Sequence, residues 1–333
     1  MAVTLKDVAV LAGVSRSAVS RTFTEGASVS KKTRDKVMQA ATELGYSPNA
    51  LASSLTTGRT KMIGLVSNNF HNPIFLEVFD LFTRGLQERG LRPLLVNLTD
   101  GTDPEASVRM LRQYSVDGVI VASSTLPPGF AKAFRDARVP VVHSFGRHSD
   151  SLSVDILGID NIAAGRLAAR TLMDRGYTKV GFLGGPQAAT STQDREKGFL
   201  LELAQHANVT ATSSFADNYS FDAGRAEMRR LLKDTPAQAY FCGDDVLSIG
   251  ALSALQSAGL DVPSDVGLIG LNDMEMAGWD NIDLTTIHNP FSEIISASID
   301  RVSALINDND LTPQARLFDC SVVERGTLKA RKA

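Results

Sequence analysis

Cysteine is almost absent from this chain. Cys242 and Cys320 are the only two, they lie far apart, and neither has metal-ligand company. That excludes a disulfide framework or a cysteine-rich metal centre and points to a reducing compartment. No apolar run approaches the ~18 residues that span a bilayer, and the N-terminus opens on a polar helix rather than a charged-then-apolar leader. The expectation is a cytoplasmic protein with no membrane segment. Patterns of the G-x-G-x-x-G, Walker A and G-x-S-x-G kind are also missing. The five histidines (His71, His143, His148, His206, His288) lack the partner spacing of a catalytic or metal site, with His71 left open as a pocket residue. No cofactor, no metal and no catalytic residue are expected.

What is present begins with residues 4–26, TLKDVAVLAGVSRSAVSRTFTEG. Leu5, Val8, Ala9 and Ala12 recur at helical spacing, Gly13 breaks the run, and Ser15 can cap a second helix whose Val19 and Phe23 share a face. This is a helix-turn-helix pattern. With Val14, Val19 and Phe23 turned inward, the second helix presents Arg16, Ser17, Ser20 and Arg21 outward, and Arg16, Ser17 and Ala18 are the candidate base readers in a major groove. Arg can fork onto guanine, Ser serves either base, and an Ala methyl packs on the thymine methyl. Ser20 and Arg21 can reach phosphate or base. Taken alone, the same pattern also describes a small helical hairpin with a solvated basic face.

Charge favours the nucleic-acid reading. Residues 1–60 carry eight Lys/Arg against four acids, a net +4 that leaves −7 on the remainder of a chain whose total is −3. At 333 residues, 43% hydrophobic and 21% charged, the chain has the size and composition of about two soluble domains. Residues 30–45 predict a third helix, capped by Ser30 and stopped at Gly45, with Val37, Ala41 and Leu44 facing the first two. YSPNALASSLTTGR then offers a helix of about two turns over 48–56, too short to persist alone in water, so either a helix or a frayed linker fits it.

From residue 62 short apolar runs alternate with amphipathic segments. Strands are predicted at 62–66, 91–98, 117–123 and 139–145, with helices near 73–90, 104–115 and 128–137, two of them carrying Pro73 and Pro104 in the first turn. A second series follows: DILGID, a helix at 162–176, KVGFLGG, a helix at 192–206, a strand near 209–215, a helix at 222–233, AYFCG, a helix at 245–259, and VGLIGLN. Such βαβ series imply two parallel sheets, hence two lobes, with a ligand beyond the carboxyl ends of their strands.

TLKDVAVLAGVS with AVSRTF, the YSPNALASSL segment, Asp160-Asn161 with Gly165, REKGF at 195–199, and GLDVPSDVGLIGLND followed by LTTIHNP are shared signatures. Through them the chain resembles, along its whole length, the lac-repressor and purine-repressor family of bacterial transcription factors. The resemblance implies an α/β protein with an all-α helix-turn-helix headpiece (1–46), a hinge helix and linker (47–60), and a two-lobed core similar to periplasmic binding proteins (61–333). Lobe 1 would span about 61–160 plus 290–319, and lobe 2 about 161–289 plus 320–333.

The family also implies a function: a repressor dimer on pseudo-palindromic operator DNA, controlled by a small molecule held between the lobes. The C-terminal GTLKARKA has no leucine heptad, so a tetramerising tail is not expected. Asn49 and Leu55 match hinge positions that touch DNA, Leu55 as an apolar wedge between base steps. Arg195 matches the effector-contacting arginine three positions before the glycine of the Gly-Phe pair, and Ser191 a pocket position one turn earlier. A surface ion pair of Arg195 with Asp194 or Glu196 is the plain alternative. Further matches to pocket linings are Asn68, Phe70, Asn72, Phe75, Ser123, Phe145, Arg147, Tyr219, Phe221 and Phe291, though core packing would serve any one of the aromatics as well.

Two positions depart from the pattern. Asp244-Asp245 stands where the family commonly has Asn-Asp, and Asn272-Asp273 where it commonly has two acids, as though acid and amide were exchanged across the cleft. With Asp244 and Asn272 both facing it, the expected ligand is a sugar, a polyol, or an acidic or phosphorylated derivative. A ligand-responsive activator or dual regulator is the alternative. A solute-binding protein has no use for residues 1–60, and an enzyme lacks motifs, so both rank lower.

Overall fold

A computed structural model describes all residues except 1–2, 25, 50–53, 55–57, 69, 99–102, 127, 149–150 and 332–333. It divides into two compact units, residues 1–61 and 62–333. The first contains α1 (Leu5–Ala12), α2 (Arg16–Thr22) and α3 (Lys31–Leu44). Side-chain caps set their starts. The Thr4 amide donates to Asp7 Oδ2 (2.8 Å), and Ser15 Oγ and Ser30 Oγ accept from the Ala18 and Thr33 amides, each at 3.2 Å. Gly13 and Gly45, at φ 63° and 62°, take the left-handed turns that close α1 and α3. Val8, Val19 and Val37 are wholly buried and form the centre of this small core. The helix expected over 48–56 lies largely outside the described residues, Leu55 among them.

The second unit is built on two six-stranded sheets. One contains β1 (Met62–Ser67), β2 (Arg92–Asn97), β3 (Gly118–Ala122), β4 (Val141–Ser144), β5 (Asp155–Ile159) and β11 (Ala315–Phe318). Its order is β11-β5-β4-β3-β1-β2, parallel throughout. The other contains β6 (Lys179–Gly184), β7 (Thr210–Phe215), β8 (Ala239–Cys242), β9 (Gly267–Asn272), β10 (Thr286–His288) and β12 (Ser321–Val323). Its order is β12-β10-β9-β8-β6-β7, with β12 antiparallel to β10. Helices cover the sheets, which is why β3, β5 and β8 are buried at every residue rather than at alternate ones. The chain leaves the first sheet after Ile159 and enters the second through α7 (Asn161–Met173). It returns after His288 through α11 (Phe291–Asn307), which packs on β3, β4 and β5, and crosses again between Phe318 and Ser321.

Two expectations need adjusting. Pro73 stands one residue before α4 (Ile74–Glu88) rather than inside its first turn. Sequence periodicity also carries no element past Asn272, although β10, α11, β11 and β12 all follow. Strands of three residues such as β10 and β12 are too short to show a period, and their pairing comes from the neighbouring strand.

The tightest packing in the second sheet's helix layer is between α7 and α8 (Thr190–Leu203). A Cβ on Gly165 would stand 2.1 Å from the Arg195 carbonyl oxygen, and one on Gly198 would stand 2.0 Å from that of Ile162. Only glycine at both points lets the two backbones touch. We expect Gly165→Ala to push the helices apart, lowering stability by about 1–3 kcal/mol in denaturant melts. The same variant should displace Arg195; unchanged stability would mean that α8 can shift freely.

Candidate functional site

Two surfaces carry the sequence-predicted residues. In the first unit, burial of Val19 against Val8 and Val37 fixes the rotation of α2. Arg16, Ser17, Ser20 and Arg21 are consequently exposed and Ala18 half-buried. Ser17 is less free than expected, because its hydroxyl lies 2.9 Å from the capping Ser15 hydroxyl. Arg34 braces the end of α2 through the Thr22 carbonyl (3.3 Å). Asn49 is exposed.

In the second unit the carboxyl ends of the parallel strands converge on a cavity of about 30 Å³. Asn72, Phe75 and Phe145 line it from the first sheet's side, together with Phe291 at the start of α11. Arg195, Tyr219, Asp244 and Asn272 line it from the second. Ile74, Ser124, Ile159, Asn161 and Asn289 complete the wall. These five are not among the sequence-predicted contacts. Asn161 stands two residues past the end of β5 and Asn289 directly follows β10, so their position just past a strand's carboxyl end was the available signal.

Asp244 is the centre of the polar network. It caps α10 (Asp245–Ser257), with Oδ1 accepting from the Val246 amide at 2.9 Å. Its Oδ2 accepts from Asn72 Nδ2 and Asn272 Nδ2, each at 2.9 Å, and Asn289 Nδ2 in turn donates to Asn272 Oδ1 at 3.2 Å. Burial pushes the Asp244 carboxyl up to about 6, opposed by the Val246 amide, by Arg195 and by the two asparagines. Arg195 is 4% exposed. It donates through Nε to Asn161 Oδ1 (2.8 Å) and through Nη1 to the Gly243 carbonyl, so the surface ion pair with Asp194 or Glu196 is not its arrangement.

The exchange of acid and amide is also not across the cleft. Asp244 lies just past β8 and Asn272 ends the neighbouring strand β9; the two bond to each other, and the group that crosses from the other sheet is Asn72. Asn272 and Asp273 both have positive φ, 124° and 58°, a conformation that Asn and Asp tolerate better than other side chains. That turn folds Asn272 back onto Asp244 and sends Asp273 to Arg325 (2.7 Å) and His288 Nδ1 (3.0 Å).

Several predicted contacts stand outside the cavity wall. Arg147 spans the sheets instead, with Nε on Asp194 Oδ2 (2.8 Å) and Nη2 on the Thr190 carbonyl and Gln193 Oε1 (both 2.9 Å). The nearby carboxylate outcompetes the apolar wall for its guanidinium. The Ser191 hydroxyl is buried 3.3 Å from the Tyr219 hydroxyl, which Thr192 Oγ1 holds more closely at 2.6 Å. Ser123, also buried, donates to Asn68 Oδ1 (2.8 Å), and Asn68 lines an outer chamber rather than the inner cavity. Phe70 lies against Phe79 with ring centroids 4.8 Å apart. Phe221, the first residue of α9 (Phe221–Leu231), is turned out to solvent by the Ser220 cap.

Asp245, wholly buried beneath this wall, ties the strand ends together. Oδ1 accepts from Thr286 Oγ1 (2.5 Å) and Oδ2 from the Met274 amide (2.9 Å), while burial pushes the carboxyl up to about 7.

Comparison with known proteins supplies the context. Residues 4–49 match the family described as bacterial regulatory proteins, lacI family, and residues 169–328 match a periplasmic binding protein-like domain. The ribose operon repressor of Escherichia coli (strain K12) is 32% identical over 329 residues, covering 97% of this chain and 99% of that protein. The HTH-type transcriptional repressor PurR of Edwardsiella ictaluri (strain 93-146) is 34% identical over 330 residues, covering 97% and 96%. Among solved structures, the lac repressor dimer bound to operator and the anti-inducer ONPF superimposes with a TM-score of 0.87 at 26% identity, over 99% of this chain and 100% of that one.

The Asp245 environment gives a pH prediction. Its carboxyl is raised from an ordinary 3.8 to about 7 in the folded protein, so folding favours the protonated form. That contribution is complete below the ordinary value and is lost as pH rises through about 7. Asp245→Asn keeps a neutral group that can accept from the Met274 amide and donate to Thr286. It should be more stable than wild type by about 1–3 kcal/mol at pH 8 and nearly equal at pH 4 in urea titrations. Parallel losses for both proteins between pH 5 and 8 would refute the assignment.

Proposed function

The chain belongs to the LacI family of bacterial regulatory proteins and is a DNA-binding transcriptional repressor controlled by a small ligand; on that premise we propose how its parts divide the work. Residues 1–46 read operator DNA, 47–60 form the hinge and linker, and 61–333 bind the effector and form the dimer. Arg16, Ser17 and Ala18 read bases, and Ser20 and Arg21 contact the backbone or bases. Asn49 and Leu55 extend the DNA contact from the hinge. The effector is a sugar, a polyol, or an acidic or phosphorylated derivative, taken into the cavity around Asp244 and Arg195.

The observation that carries this assignment is the hydrogen bond from Asn72, on the first sheet's side, to Asp244, on the second. A molecule that competes for that carboxylate changes how the lobes meet. An effector shifts operator affinity only through unequal affinity for two such states. The relatives are repressors rather than enzymes, and we assign no catalytic role to this cleft. No helix among the described residues is long and apolar enough to cross a membrane, and we place the protein in the cytoplasm with its DNA.

Two variants separate the surfaces. Arg16→Ala, compared with wild type by binding to a randomised DNA pool, should lose preference at one position per half-site at a cost of about 1–3 kcal/mol. An equal loss on specific and random DNA would reduce Arg16 to a phosphate contact. Arg195→Ala should keep its ligand-free operator affinity and fold yet no longer respond to the effector; calorimetric binding as tight as wild type would remove Arg195 from the site.

A further inference from the structure

The cleft has two chambers that share one wall. The inner cavity, about 30 Å³, has room for a water molecule or two, so a sugar ring enters only by parting Asn72 and Asn272 from Asp244. Immediately outside is a chamber of about 800 Å³, a size usual for a small-ligand site. Tyr219 lines both. Asn68, His71 and Thr125 face the outer chamber from the first sheet's side, and Asp217 and Asn218 from the second.

Charge in the two chambers is restrictive. Among the described residues one guanidinium lines the inner cavity, that of Arg195; it gives Nε and Nη1 to protein acceptors, and its charge favours the ionised form of the buried Asp244 carboxyl. No lysine or arginine lines the outer chamber among the described residues, and Asp217 does. Arg147, the nearby cation that sequence comparison suggests for the pocket, is held on Asp194, Thr190 and Gln193. Among the described lining residues a phosphate or carboxylate on the ligand would therefore meet two carboxylates, Asp244 and Asp217, and one guanidinium, that of Arg195, whose Nε and Nη1 already serve protein acceptors. Neutral hydroxyls are suited by acceptors and donors at Asp244, Asn272, Asn289 and Asn161, and the edge-on Phe145–Phe291 pair (5.5 Å) offers an apolar face to a ring.

We infer that the effector is an uncharged, hydroxyl-rich molecule longer than one ring, a disaccharide or a glycoside, with one end between Asp244 and Arg195 and the remainder beyond Tyr219 in the outer chamber. This rests on the reading of the cleft as the effector site, and it narrows that reading by excluding acidic and phosphorylated ligands.

The test is calorimetry on the full chain with lactose, cellobiose, maltose, sucrose and trehalose, with glucose, galactose and fructose, and with gluconate, glucose 6-phosphate and trehalose 6-phosphate. The tightest ligand should be an uncharged disaccharide, its component monosaccharides at least ~10-fold weaker, and the anionic members of the panel at least ~100-fold weaker, because a like charge beside Asp217 or Asp244 disfavours the anion. Asn218 is exposed, and Asn218→Trp should narrow the outer chamber, weakening the disaccharide ~10-fold while leaving the monosaccharide and the circular dichroism spectrum unchanged. An anionic member that binds more tightly than its uncharged parent, a monosaccharide that matches the disaccharide, a panel with no binder, or an Asn218→Trp chain that binds both as wild type does would each overturn the inference. Operator binding keeps the two readings apart. A disaccharide that binds without changing operator affinity defeats the regulator and leaves the ligand class standing, whereas a sugar phosphate that binds and changes it does the reverse.

Discussion

The structure of the core depends on how one buried carboxylate is satisfied. Asp244 is 4% exposed and sits where the strand ends of both sheets converge. A charge in such a place costs several kcal/mol unless hydrogen bonds surround it. Asn72, Asn272 and the Val246 amide supply those bonds, and because Asn72 comes from the opposite sheet, satisfying the carboxylate brings the lobes together. The groups that compensate Asp244 are of the same kind as the hydroxyls of a polyol. On the proposed reading, exchange between internal and external partners at this one acceptor couples occupancy to lobe geometry.

A second constraint acts through backbone contact rather than charge. The α7–α8 crossing at Gly165 and Gly198 sets the position of Arg195, whose Nε then meets Asn161 at the start of the partner helix. The same helix α8 presents Asp194 to Arg147 and the Thr190 hydroxyl and Ser191 amide to the Ser124 carbonyl, so one element holds the inner guanidinium and much of the inter-sheet bonding. The Arg147–Asp194 pair, 29% and 17% exposed, is worth about 1 kcal/mol or less once solvent screening is allowed for. Its value is geometric: three acceptors on one turn of α8 fix the direction of that contact.

The headpiece follows a different economy. Among the described residues the buried apolar side chains of its core are all Val or Ala, and the caps at Thr4, Ser15 and Ser30 satisfy amide groups that so small a core cannot shelter. Its basic outer face is the consequence of burying Val19. Once that residue points inward, the helical repeat leaves Arg16, Ser17, Ser20 and Arg21 no other direction.

Much of this was already legible in the linear chain. Helical spacing, capping serines and stop glycines place α1 to α3, and apolar runs alternating with amphipathic segments place both βα series as far as Asn272, because each signal is local and read within one or two turns. Membership of the cavity wall for Asn72, Phe75, Phe145, Arg195, Tyr219, Asp244, Asn272 and Phe291 was suggested by matching motifs, each beyond or near a strand's carboxyl end. Partnerships were not legible. That Arg147 turns to Asp194, that Asp244 and Asn272 bond within one lobe, and that Ser123 supports Asn68 rather than lining the cavity all depend on which groups meet across distant segments. The short strands β10 and β12 are defined by their neighbours for the same reason. Periodicity determines which face a residue occupies; only the folded chain decides which polar group reaches a given donor or acceptor first, because that competition is settled over a few ångströms between residues far apart in sequence.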